Sequence, residues 1–298
     1  MKIFSSRLIK FLLFVISANF LLVIIIVILN CLGVRNCDLA NDVNTVIIGD
    51  SHTMWGIDAS NIDRVRNISL NAEGYVYTYH KLEQLLNTES NISHVYLGFG
   101  YHNLSGYYDK YIYGEQFKNF IHRYLGVMES NDFIRVILNN PKDLFVIFKN
   151  ILQRGIRSGL KQKCTLYGFF PKDKKLSELD LEQMRIRIQE QFYEKEEVIS
   201  TSESNMKYLD KIISLLHNRQ VKLTILNTPL HYKYIELIPD KYKALYHEYI
   251  NRNQLELLDF RNLALPDSYF LPDGDHVNYN GALLTTEKFR EYHESNNK

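Results

Sequence analysis

The chain has 298 residues, of which 46% are hydrophobic and 23% charged, and its net charge is +1. This ordinary globular composition excludes a largely disordered chain, and the charge excludes a uniformly basic surface for nucleic acid. Its cysteines, Cys31, Cys37 and Cys164, lack the C-x₂-C spacing of a zinc knuckle. A Cys37–Cys164 disulfide stays open, because the sequence does not fix the distance between them.

The first predicted element is a membrane-spanning helix. Residues 11–29 read FLLFVISANFLLVIIIVIL and carry no charge. About 19 helical residues span roughly 29 Å, the thickness of a bilayer core. Lys2, Arg7 and Lys10 precede the segment, and no positive excess follows it. The positive-inside rule therefore places the N-terminus in the cytoplasm and residues from about 35 onward outside.

The two other interpretations of this segment are a cleaved signal peptide and a lipoprotein site. A cleaved signal peptide ends in small residues, and a lipoprotein site at Cys31 needs a small residue before the cysteine. The stretch ILNCLGV supplies neither pattern. We therefore expect residues 1–35 to be a cytoplasmic tail with an uncleaved anchor. Residues 36–298 are then expected to be one catalytic domain outside the cytoplasm.

Apolar runs alternate with helical patterns along the remaining chain. Helices are predicted at 78–88, at 205–219 and from about Tyr279 onward, and a charged amphipathic helix is predicted within 177–198. Strands are predicted at TVIIGD (45–50), VRNISLNAEG (65–74), HVYLGFGYHN (94–103), VKLTILNTP (221–229) and LELLDF (255–260). The alternation predicts an α/β fold with a parallel sheet covered on both faces, interrupted by a mostly helical insertion at about 104–200.

Ligands of such sheets bind beyond the carboxyl ends of the strands. Turn residues that follow predicted strands are Ser51, Gly74, Asn103, Pro229 and the loop at Asp273. The sequence therefore predicts a site at this edge of the sheet.

Two short stretches carry the chemistry. Gly49-Asp50-Ser51-His52 ends the first strand, and LPDGDHVNYNGA, residues 271–282, precedes the last helix. Ser51 is the predicted nucleophile and His276 its general base, and Asp273 is the carboxylate that orients the imidazole. Asp275 is a rival carboxylate, although a residue adjacent to His276 is poorly placed for the contact.

Each stretch alone is weak, since Asp50 or Ser51 serves equally well as a helix cap. Their positions after the first strand and before the last helix make the pair much more specific. Together they resemble the first and last blocks of the SGNH, or GDSL-like, hydrolase superfamily. The resemblance implies a flavodoxin-like three-layer sandwich and acyl-ester chemistry that needs no metal or other cofactor.

The same resemblance implies an oxyanion hole formed by the backbone N–H of Ser51, by Gly74 and by Asn103. The middle blocks of the superfamily pattern, which follow the second and third strands, fit this sequence less well. In GFGYHNLS, Asn103 is offset from the position where the pattern has its Asn, and His102 is an alternative donor. A turn glycine and a loop asparagine are the other readings of these two residues. His52 and His231 are predicted to line the substrate pocket, and a polar loop residue is the other reading of His231.

The leading hypothesis is an anchored enzyme that acts on acyl esters of envelope or extracellular glycans. An esterase and an O-acyltransferase are close rivals, and a transferase would need a multi-span partner that exports the acyl group. The alternative is a non-catalytic glycan-binding or assembly protein that retains the fold. The expected partners are a glycan or acylated small molecule and the membrane, and no nucleic acid.

Overall fold

The structure is a computed structural model. Apart from isolated positions between 7 and 25, it describes residues 42–88, 91–121, 124, 128–143, 145–147, 149–150, 153, 168–173 and 175–296. The chain divides into two compact units. One unit contains residues 1–38 and 117–165, and the other contains residues 39–116 and 166–298.

The second unit is built on a five-stranded parallel sheet. Its strands are β1 (Thr45–Ile48), β2 (Val65–Asn67), β3 (His94–Gly98), β6 (Lys222–Asn227) and β7 (Glu256–Asp259). Their order is β2-β1-β3-β6-β7, and every neighbouring pair is parallel. Ile47 of β1 lies beside Asn67 of β2 and Tyr96 of β3. This is the flavodoxin-like strand order, in which the chain reverses direction across the sheet beside its first strand.

Helices connect the strands. Helices of the second unit are α1 (Ser51–Gly56), α2 (Tyr75–Thr88), α3 (Asp109–Ile112), α6 (Leu181–Phe192), α7 (Glu203–Asn218), α8 (Tyr232–Leu237), α9 (Asp240–Arg252) and α10 (Tyr279–Asn296). The first unit contains α4 (Phe117–Phe120) and α5 (Ser130–Leu138). The predicted helices at 78–88, 205–219 and from Tyr279 correspond to α2, α7 and α10.

Apolar side chains cover the sheet on both faces. Side chains of a strand alternate between its two faces. Ile47 and Tyr96 pack with Phe289 of α10 in one buried cluster. Val46 and Val95, which point to the opposite face, are also fully buried. Burial on both faces explains why these strands read as continuous apolar runs rather than as alternating ones.

The insertion contains a short hairpin that the sequence did not predict. The charged helix predicted within residues 177–198 ends at Phe192. The chain then forms a hairpin of β4 (Tyr193–Glu194) and β5 (Glu197–Val198). Lys195 and Glu196 make its turn with φ values of 50° and 70°. Hairpin turns of this kind usually carry Asn or Gly, so the turn gave no sequence signal.

Among the described residues, we find no helix that combines the length and the apolar character a membrane crossing requires. The predicted anchor at residues 11–29 lies partly outside those residues. The three cysteines lie wholly outside them.

Gly49 permits a close approach at the end of β1. A Cβ atom at this position would lie 2.7 Å from Thr53 Oγ1 and 3.1 Å from the Gly98 Cα atom. Thr53 Oγ1 itself donates to the Asp50 carbonyl at 3.2 Å.

We therefore expect Gly49→Ala to lower the free energy of unfolding by about 1 to 3 kcal/mol through overpacking. Chemical denaturation measures this, with the exposed Ser60→Ala as control; equal stabilities of the two variants would contradict the close packing.

Candidate active site

Ser51 is the first residue of α1, directly beyond the carboxyl end of β1. The Asp50 side chain caps this helix, because its Oδ1 atom accepts a hydrogen bond from the His52 N–H at 2.9 Å. The turn therefore uses Asp50 for its own hydrogen bonds and leaves the Ser51 hydroxyl for a side-chain partner.

That partner comes from a loop 225 residues further along the chain. Gly274 has a φ of 66°, which lets the loop turn back tightly. Asp273 Oδ1 accepts from the Asp275 N–H at 3.1 Å, and the Leu271 N–H donates to the His276 carbonyl at 2.8 Å. These bonds hold His276 just before α10 and aim its ring at β1.

The two sequence stretches meet at this point. Ser51 Oγ lies 2.9 Å from His276 Nε2. On the other side of the ring, Asp273 Oδ2 lies 3.4 Å from Nδ1, and Asp275 Oδ2 lies 3.7 Å from it. A hydroxyl, an imidazole and a carboxylate in this sequence of contacts can move a proton off the serine during nucleophilic attack.

The two carboxylates of the loop differ in their other contacts. Asp275 is fully buried and accepts from His52 Nε2 at 2.9 Å, from Arg187 Nε at 2.8 Å and from Gln191 Nε2 at 2.9 Å. Burial raises the pKa of Asp275, but the nearby His52, His276 and Arg187 outweigh it and hold this pKa well below its usual range. Among the described residues, the hydrogen bonds of Asp273 lie within its own loop, and Asp273 is the nearer of the two carboxylates to His276 Nδ1.

Asp50 is the centre of a second set of contacts. Its Oδ2 atom accepts from His102 Nε2 at 2.7 Å, from Asn103 Nδ2 at 3.0 Å and from the Tyr108 hydroxyl. Burial raises the pKa of this carboxyl, but the imidazoles of His102 and His52 outweigh it, and the pKa lies well below its usual range. Asp50 is therefore an ionised acceptor that ties the end of β1 to the segment after β3.

His52 links the two carboxylates. Its Nδ1 atom lies 3.1 Å from Asp50 Oδ1, and its Nε2 atom contacts Asp275. Burial lowers the pKa of His52, but the carboxylates of Asp275 and Asp50 raise it to about 10. Its ring stacks on His102 at 4.1 Å and on His276 at 4.3 Å between ring centroids. A buried imidazolium thus packs directly against the proposed base.

The pocket role predicted for His52 stays a prediction. Both of its ring nitrogens are occupied by carboxylates, and the cavity that it lines with Asp50 and His102 has a volume of about 10 Å³. That is room for about one water molecule. These contacts place His52 in the hydrogen-bonded network under the site.

His231 also takes a structural position. It caps α8 by accepting from the Lys233 N–H at 3.3 Å, and its Nε2 atom lies 3.2 Å from Asp267 Oδ1. Its own N–H donates to the Gly274 carbonyl at 2.9 Å. His231 therefore contacts the loop of His276, and its predicted contact with substrate stays a prediction.

The predicted oxyanion donors have different surroundings. The Ser51 N–H opens α1, where backbone N–H groups have no acceptor within the helix. Asn103 donates to Asp50, and its Oδ1 atom accepts from the Gly100 N–H at 2.7 Å. Gly74 precedes α2, and an added Cβ there would first meet Asn205 and Tyr108, both at 3.3 Å. The oxyanion roles of Gly74 and Asn103 remain predictions.

Arg187 and Gln191 are site residues that the sequence reading missed. Both lie on α6, in the insertion, and reach Asp275 from a helix far away in sequence. Gln191 is fully buried on the same helix face as Met184 and Ile188. A polar residue on an apolar helix face was the available signal, since buried amides need partners.

Two groups of side chains bring metal-ligating atoms close together. One is Asp50, His52 and His102, and the other is His52, Asp275 and His276. His52 belongs to both groups, and its two ring nitrogens face one carboxylate each. The contacts of Asp50 come from N–H and O–H donors, so this geometry is that of a hydrogen-bonded network.

The charge of His52 makes stability depend on pH. Its pKa is raised to about 10, so its contribution is complete below the unfolded value of 6.5 and is lost as the pH rises towards 10. We expect the free energy of unfolding to fall by up to about 5 kcal/mol across this window. Urea unfolding from pH 6 to 10 measures how the free energy of unfolding changes with pH. His52→Gln should flatten this dependence. The control His217→Gln, at an exposed helix end, should leave it unchanged. The same slope in His52→Gln and wild type would contradict a buried imidazolium.

Comparison with known proteins gives three findings. A protein-family model matches residues 175–297, which is less than half of the chain. No curated protein matches. A solved structure titled "Crystal Structure of TesA" matches with 13% sequence identity and a TM-score of 0.32, over 82% of this chain and 93% of its own. These similarities are too distant to establish a family.

Proposed function

We propose that the protein is a serine enzyme of acyl-ester chemistry. The observation that carries this proposal is the 2.9 Å contact between Ser51 Oγ and His276 Nε2, with Asp273 behind the imidazole. Ser51 Oγ attacks the ester carbonyl while its proton passes to His276. The alcohol leaves with that proton, and the acyl group remains bonded to Ser51. Water or a sugar hydroxyl then attacks the acyl group and releases it from Ser51.

The sequence blocks and the sheet support an SGNH-like assignment. Gly-Asp-Ser ends the first strand, Asp-x-x-His precedes the last helix, and the five parallel strands have the flavodoxin-like order. Those features agree with one another although they come from opposite ends of the unit. The backbone N–H of Ser51, together with Gly74 and Asn103, would bind the oxyanion of the tetrahedral intermediate.

The substrate class follows from the location of the domain. Residues 11–29 would anchor the chain in the membrane and leave the catalytic unit outside the cytoplasm. Acylated glycans of the cell envelope are the esters available there. If a sugar hydroxyl rather than water removes the acyl group, the protein is an O-acyltransferase, and a multi-span partner would then supply the acyl group from inside.

One assay separates hydrolysis from transfer. Full-length protein in detergent is incubated with a chromogenic acetate ester, with and without an oligosaccharide acceptor, and free acetate is separated from acetylated sugar. Chromophore release by wild type and none by Ser51→Ala supports the proposal. Acetylated sugar in the presence of acceptor identifies a transferase, and free acetate alone identifies an esterase. Release by wild type no higher than the buffer background would favour a non-catalytic glycan-binding protein, and equal release above background by Ser51→Ala would exclude Ser51 as the nucleophile.

A further inference from the structure

The unit of residues 1–38 and 117–165 exposes large apolar side chains on α5 and just after it. Ile134 is 52% exposed, Leu138 is 72% exposed and Phe145 is 79% exposed. Ile134 and Leu138 are four residues apart and lie on the same face of α5, while Val136 of that helix is buried. Isolated exposed apolar residues are ordinary, but three large ones within residues 134–145, two of them on one helix face, indicate a binding surface.

The charge of the same segment is strongly positive. Residues 117–165 contain nine Lys and Arg against three Asp and Glu, a net charge of +6, whereas the whole chain carries +1. Arg135, Lys142 and Lys149 are exposed and lie close to the apolar residues in sequence. Among the described residues of this segment, Lys118 lies 3.4 Å from Asp143. Apolar side chains with flanking cations are typical of helices that lie in the interface of an anionic membrane.

The location in the chain points to the same partner. The unit also contains residues 11–29, the uncharged stretch that the sequence predicts to enter a bilayer. A surface that belongs to the same compact unit as such a stretch has lipid headgroups within reach. Anionic headgroups neutralise the positive excess of this segment directly.

We propose that Ile134, Leu138 and Phe145, together with Arg135, Lys142 and Lys149, form a basic–apolar surface that binds the interface of an anionic lipid bilayer. The apolar side chains enter the boundary between headgroups and acyl chains, and the cations contact the lipid phosphates. This role is independent of the acyl-ester chemistry, because it involves no residue of the Ser51–His276 site.

Fluorescence quenching by lipid tests the proposal on the full-length chain. Leu138→Trp and Leu283→Trp are each reconstituted in vesicles of phosphatidylglycerol and brominated phosphatidylcholine. Leu283 is a matched control, since it is 45% exposed on α10 in the other unit. Trp55 gives the same background in both variants. We expect bromine to quench the Leu138→Trp signal at least about twofold more strongly than that of Leu283→Trp.

The charge requirement is tested separately. Replacing Arg135, Lys142 and Lys149 by Gln in the Leu138→Trp chain should reduce the quenching, as should added salt. Quenching at position 138 no stronger than at position 283 would overturn the proposal, and would leave a second protein or a second copy as the occupant. Equal quenching in vesicles of brominated phosphatidylcholine alone would overturn the requirement for anionic lipid.

Discussion

Ser51→Ala is expected to lose acyl turnover by several powers of ten, on the order of 10⁴-fold or more. The substitution removes the atom that would form the covalent bond to the acyl group. Binding and the backbone donors near α1 remain, so a small residual rate is expected. Stability should change by less than about 1 kcal/mol, because one hydroxyl is lost and the cap made by Asp50 is kept.

The measurement is kcat/KM for a chromogenic ester beside a thermal unfolding curve of the same preparation. His276→Ala is the matched variant and should lose a similar amount of activity, since serine and imidazole act as one unit. Activity within about tenfold of wild type in folded Ser51→Ala would exclude Ser51 as the nucleophile.

The two carboxylates of the 273–276 loop should give opposite results. Asp273→Asn is expected to lower kcat/KM by about 10²- to 10⁴-fold, because Asn no longer fixes the tautomer of His276 or stabilises the imidazolium. The fold should remain, since the Asp273 side chain is partly exposed and, in the part of the chain that the structure describes, bonds within its own loop.

Asp275→Asn should instead act on stability. It removes the negative charge between buried His52 and Arg187, and breaking a buried ion pair typically costs about 3 to 5 kcal/mol. For a domain of this size that corresponds to a loss in Tm on the order of 10 °C. Differential scanning calorimetry and kcat/KM on both variants separate the roles. A larger activity loss in folded Asp275→Asn than in Asp273→Asn would show that Asp275 orients His276.

The sheet and the two ends of the site are predictable from sequence because their signals are local and strong. The run TVII at 45–48 forms β1, and Gly49-Asp50-Ser51 marks its end. Parallel strands bring their carboxyl ends to one edge, so the meeting of Ser51 with His276 follows from topology, without knowledge of any side-chain contact.

The network beneath the site was not predictable in this way. Asp50 appears locally as a cap, and its contacts with His102 and Tyr108 depend on side-chain packing between separate segments. Arg187 reaches Asp275 from a helix 88 residues away, inside an insertion whose sequence shows only a charged amphipathic pattern. His52 was predicted to meet substrate because its neighbour is the proposed nucleophile, and the two carboxylates that enclose it were not evident from spacing.

Covalent labelling tests the central claim most directly. Full-length protein is treated with a fluorophosphonate, which reacts with serine hydroxyls that an adjacent base activates, and the peptides are mapped by mass spectrometry. The Ser51–His276 contact of 2.9 Å predicts one adduct, on Ser51, that is lost in His276→Ala while the variant stays folded. Absence of an adduct on Ser51, or undiminished labelling in His276→Ala, would contradict a serine activated by this histidine.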